Sequence, residues 1–198
     1  VTSDSSDVSS GNVAVASGNS VGDNVGVVYI GSGHSEQSYA GSVSIVAGSS
    51  NSVAGANVDI VAGGSVSDMG GSVSISAAGG VSGGDLIVRS GTSTKSPGGR
   101  LDIVSGSSKT ANSGGVSLMS GGGVVSSDVV IGVGSGVTVG GDMQLRGSSV
   151  STGTGGRVAV IGGSSGTNDA GSVSVGSVDG ASGSGSVVLQ SGDSVSGN

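Results

Sequence analysis

Three kinds of residue in this 198-residue chain have types suited to chemistry. His34 is the one imidazole, and serines and aspartates lie near it in sequence. A Ser-His-Asp arrangement would let the imidazole take a proton from a hydroxyl nucleophile. His34 sits in a polar loop that no other part of the chain copies, so the sequence supplies nothing to orient it. The Gly-rich stretches GGGVV (121–125) and GVGSGVTVGG (132–141) have the composition of phosphate cradles. They lack the lysine of a P-loop and the helix that must follow a dinucleotide fingerprint, so their glycines read as turn chemistry. Asp85 in GGDLIV and Asp142 in GGDMQL follow paired glycines. Calcium-binding nonapeptide arrays need a nine-residue period with Asp in every copy, and neither condition is met. No catalytic, cofactor-binding or metal-ligating residue is therefore assigned, and the chain is not expected to be an enzyme.

The elements that would position such residues must be built from an unusual composition. Gly is 45 of 198 residues, roughly three times its usual share, and Phe, Trp and Cys are absent. Val and Ile must supply nearly all of any apolar core. A flexible linker is excluded as the reading of this bias. Disorder goes with low hydrophobicity and high net charge, whereas 33% of these residues are hydrophobic and the net charge is only −7. Collagen is excluded by a single proline and the lack of a Gly-X-Y period. Six dispersed Lys and Arg against thirteen acids argue against nucleic acid as a partner. No run approaches the roughly 20 apolar residues of a membrane helix. The chain starts at Val1 with no visible signal peptide, as expected of a processed chain or part of something longer.

The ordering device is an internal repeat, G-x-V-x-I-x-[SA]-G followed by five to seven polar or small residues. Thirteen copies start at Gly11, Gly26, Gly41, Ala56, Gly71, Gly84, Gly99, Gly114, Ser127, Gly141, Gly156, Gly171 and Gly185, spaced 13 to 15 residues apart. Position 3 is apolar in every copy, from Val13, Val28 and Val43 to Val187. So is position 5, from Val15, Ile30 and Ile45 to Leu189. The positions between are mostly polar or small. Period-two alternation of β-branched residues predicts a short strand with one buried face per copy. Position 7 is nearly always small, and position 8 is usually Gly, where the chain must turn.

A longer period overlies the short one. Val21, Val81, Val137 and Val195 share one loop column four repeats apart, and Asp85 and Arg89 match Asp142 and Arg146. The sequence thus predicts an all-β fold, a β-solenoid of thirteen strand-loop repeats with a four-strand superrepeat of about 58 residues. Residues 1–10 read as the tail of a preceding repeat. Residues 11–198 read as one array, with blocks 11–70, 71–126, 127–184 and a partial block 185–198. A four-strand coil is favoured. It would make Val43, Leu101 and Val158 one stacked, hydrogen-bonded column and would drive both apolar columns into a dry core. In that core Ile45→Asp would bury an unpaired charge. A one-strand coil, which sets Asp85 against Arg100 and Asp142 against Arg157, and an antiparallel meander are the alternatives.

The outward positions bear on function. Position 4 reads Ala14, Tyr29, Ser44, Asp59, Ser74, Ile87, Asp102, Ser117, which is not the uniform lattice that ice binding needs. Position 6 is apolar in five repeats, and Val46, Val61, Val104, Met119 and Ile161 form a candidate lateral contact stripe. The last repeat, GSVVLQSGDSVSG, looks like the others, and no cap is evident at either end. Uncapped arrays template further pairing.

The stretch GGSVSISAAGG (70–80) and its copies resemble long Gly/Ser/Val repeat proteins of algae and related protists, secreted or wall-associated. The resemblance spans all thirteen repeats and implies an extracellular or cell-surface structural role, with no site residues. The expected function is accordingly a structural protein of an extracellular fibre, appendage or matrix. Its expected partner is itself, in a filament or larger repeat array, with no cofactor and no membrane insertion. The alternative is a surface-binding protein, ice-binding or a glycan-binding adhesin. No N-x-[ST] sequon is present, while Ser and Thr leave O-glycans open.

Overall fold

The structure, a computed structural model, describes residues 3, 10–22 and 24–193. Most of the tail assigned to residues 1–10, and the loop residue Val195, lie outside the described residues. The chain divides into two units, Val1–Leu101 and Asp102–Asn198.

Within each unit the short sequence period is a geometric one. The backbone bends once per repeat, always in the loop. In the first unit the bends fall at 21–22, 36–38, 51–53, 66–68, 80–82 and 94–96. In the second they fall at 109–111, 123–125, 137–138, 151–153, 166–168 and 181–182. Between them each apolar segment runs without a turn or bend. The loops are closed by one recurring backbone bond. The position-1 amide of one repeat donates to the position-8 carbonyl of the repeat before it: Ala56 to Gly48 (3.0 Å), Gly71 to Gly63 (2.8 Å), Gly84 to Ala78 (3.0 Å) and Gly99 to Gly91 (2.8 Å). In the second unit Gly114 donates to Gly106 (2.9 Å), Gly156 to Ser148 (2.8 Å), Gly171 to Gly163 (2.8 Å) and Gly185 to Val178 (3.3 Å). The difference between 13-, 14- and 15-residue repeats is absorbed inside this closed loop, which makes each a small Ω-type excursion.

Loop length follows from the residue at position 10. Ser35, Ser50, Ser65, Ser93, Ser108 and Ser165 stand there in 15-residue repeats. Each accepts, through its side-chain Oγ, the amide three residues on at 2.9 to 3.1 Å. This local side-chain to backbone bond replaces a backbone turn bond. The four shorter repeats carry Gly80, Gly123, Gly136 and Gly180 instead. A Cβ on Gly180 would collide with the Gly183 carbonyl oxygen, and one on Gly80 would lie 3.0 Å from the Ser82 carbonyl oxygen. Repeat 10 has Val150 at position 10, and there the loop turns through Gly153 at φ 105°, a conformation L side chains rarely adopt.

The expected all-β solenoid is not what forms. Among the described residues there is no strand and no helix, and the backbone bonds close loops rather than joining repeats in a ladder. No dry core exists among the described residues. The position-3 column is 46 to 58% exposed, the position-5 column 65 to 89%. Val43, Leu101 and Val158, expected to stack, are as exposed as the rest of their column. Val21, Val81 and Val137, expected to stack as like loops, are fully exposed.

The physical reason is that period two specifies faces and not partners. Each repeat offers only two medium-sized side chains to bury, while its glycines lose the most freedom on ordering. The least exposed residues lie elsewhere. Ala47, Ala62, Ser105 and Gly162 are half-buried, all at position 7, together with Ser35. Position 7 lies across the loop closure from the next repeat's first residue. A Cβ on Gly26, Gly41, Gly71 or Gly114 would come within 3.4 to 3.6 Å of the Cβ of Ser17, Ser32, Ala62 or Ser105 respectively. A larger side chain at position 7 would wedge the closure open.

Candidate functional site

None of the residues considered for catalysis is brought into a site. His34 is exposed, and its neighbour Ser35 is engaged in its loop, accepting the Ser38 amide at 3.1 Å. Asp85 and Asp142 lie on exposed, unbent segments. Among the described residues there is no cavity, and no group of three His, Cys, Asp or Glu side chains placed to hold a metal. The Gly-rich stretches 121–125 and 132–141 each contain a loop bend, at 123–125 and 137–138.

What the structure offers is surface. In the first unit the position-3 and position-5 side chains of repeats 1 to 6 stand on unbent segments, two apolar residues on one side of each. The second unit does the same in repeats 8 to 13. The stripe residues occupy the opposite side. Val46 and Val61 belong to the first unit, Val104, Met119 and Ile161 to the second, and all are 81 to 87% exposed. Each stripe residue except Met119 directly precedes a half-buried position-7 residue, so the loop closure anchors the backbone beside it.

Position 4 keeps the mixture its sequence showed, and Tyr29 folds against Gly31, where a Cβ would collide with the Tyr29 hydroxyl. The roles of positions 7 and 10 were not drawn from the sequence. The signal was present in the smallness of one, broken only by Val133, and in the Ser-or-Gly choice of the other, broken by Val150.

No family model matches the chain, and neither a curated protein nor a solved structure matches it. No helix among the described residues is long and apolar enough to cross a membrane.

Proposed function

We propose that this chain is a structural repeat protein that works by self-association, as part of an extracellular fibre, appendage or matrix. The observation that carries the reading is the exposure of both apolar columns in all thirteen repeats. Exposed apolar patches beyond a few hundred Å² mark interaction surfaces. Here the same two-residue patch recurs every 13 to 15 residues, which suits an occupant with the same spacing. A second copy has that spacing by construction. Contacts between copies that do not close produce a filament rather than a discrete oligomer. The extracellular placement rests on the resemblance to Gly/Ser/Val repeat proteins.

The test is sedimentation velocity of the 198-residue chain from low to high micromolar concentration. The sedimentation coefficient should rise continuously, with polymer appearing at the upper end. A chain that stays monomeric throughout overturns the reading.

A further inference from the structure

Two segments of the chain are unlike the rest, and they are alike. Gly84–Gly91 reads GDLIVRSG and Gly141–Ser148 reads GDMQLRGS. Each has Asp at position 2 and Arg at position 6, a combination no other repeat carries. One lies in each of the two units. Both run without a turn or bend. Positions 2 and 6 lie on the same side of such a segment, four residues and roughly 13 Å apart, too far to pair with each other. Among the described residues Asp85, Arg89, Asp142 and Arg146 make no hydrogen bond or ion pair. All four are exposed.

The pattern is its own complement when reversed. If a segment lies antiparallel beside a second copy of itself, position 2 faces position 6, position 3 faces position 5, and position 4 faces itself. Asp85 then meets Arg89 of the second copy, and Arg89 meets its Asp85. Leu86 faces Val88 in the same pairing. The second segment behaves identically, with Asp142 facing Arg146 and Met143 facing Leu145. The two kinds also fit each other, Asp85 to Arg146 and Asp142 to Arg89. Side by side in parallel, Asp would meet Asp and Arg would meet Arg, which is destabilising.

From this charge complementarity we infer that Gly84–Gly91 and Gly141–Ser148 are the contact segments through which copies of the chain align, and that they align antiparallel. The inference rests on self-association and adds its register and direction. Thirteen near-identical repeats would otherwise let copies slip by one repeat at little cost. Like charges opposed at these segments penalise parallel registers, while two reciprocal Asp–Arg pairs reward the antiparallel one. The contact is isologous, the same patch on both copies, and two such patches per chain permit growth beyond a dimer.

Three charge variants of the full chain decide the matter by sedimentation. In the first, Asp85→Arg and Asp142→Arg leave only positive charge at both segments. Exposed pairs are individually weak, but each attractive contact becomes a repulsive one. Association should weaken by about tenfold at low salt, and the gap should narrow as salt screens it. The second adds Arg89→Asp and Arg146→Asp, which exchanges the two charges while keeping the net charge of the original. Antiparallel alignment requires it to associate with itself as strongly as the unaltered chain does. If it associates with the unaltered chain better than either does alone, alignment is parallel and the inference is overturned. The third, Asp128→Arg alone, changes a position-2 charge outside the two segments and should leave association within about twofold. Equal weakening by the first and third variants would show a general charge effect and overturn the assignment of these segments. An unaltered chain that never associates would instead overturn the proposed function itself.

Discussion

Ile45→Asp separates a surface that packs against another copy from one that packs within the chain. Ile45 is 70% exposed, in the middle of its column. Full burial of an isoleucine side chain is worth about 1.5–3 kcal/mol, so the part left uncovered holds about 1–2 kcal/mol for a second copy to release. A carboxylate there forfeits that gain and adds about 1–3 kcal/mol for a charge covered without a partner. Association should weaken by about 2–5 kcal/mol per contact, at least about 30-fold. The dilute chain should change by no more than about 0.5 kcal/mol, as for other exposed positions. Two measurements are needed: sedimentation velocity for association, and amide hydrogen exchange in dilute solution at Ala56. The Ala56 amide closes the loop that follows Ile45, through its bond to the Gly48 carbonyl. Val21→Asp is the control, the same change at a fully exposed loop position, and should leave both readouts in place. The reasoning is refuted if Ile45→Asp frees the Ala56 amide in the dilute chain, because position 5 would then be holding the repeat together. It is equally refuted if association is unchanged.

The loop devices carry their own expectations. Ser165→Ala removes the acceptor of the Asn168 amide at 2.9 Å and should speed exchange there by roughly the 0.5–1.5 kcal/mol of one hydrogen bond, with the neighbouring loops unaffected. Ala62→Leu overfills the half-buried place beside Gly71 and should open the Gly71–Gly63 closure at a cost of about 1–3 kcal/mol, seen as faster exchange at the Gly71 amide. Ala62→Gly should be tolerated, since Gly162 holds the same place in repeat 11. Gly153→Ala forces a Cβ residue to φ 105° and should cost about 1 kcal/mol or more, read at the Gly156 amide.

The repeat, its phase and the boundary between segment and loop were legible in the sequence because they are local. An apolar pair at positions 3 and 5 fixes two sides of an extended segment whatever lies beyond it. A run of Gly and Ser fixes where the chain turns. The step from there to a solenoid required knowing which segment pairs with which, and alternation carries no such information. Val43 reads the same whether its neighbour is Leu101, Val58 or a residue of another copy. Position 7 shows the opposite error, a local feature left without a cause. Its smallness in Ser17, Ala47 and Ala62 was plain, yet only the loop closure shows that the next repeat's first residue lies against it. The candidate surface was legible as composition. That both columns remain open was not, because period-two patterning describes equally well a face buried inside a coil and one awaiting a partner.

The four-repeat period takes on a different meaning once the coil is set aside. The shortened loops belong to repeats 5, 8, 9 and 12, two pairs separated by four repeats. The Asp/Arg segments are repeats 6 and 10, each directly after a shortened loop. Loop type and charge therefore share one period. In the antiparallel register each shortened loop faces the loop of a 15-residue repeat, that of repeat 5 against repeat 10 and that of repeat 9 against repeat 6, so the charges and not the loop lengths set the register. A one-residue error in an extended segment turns the apolar side away from its partner, so the penalty falls on the contact that drives association.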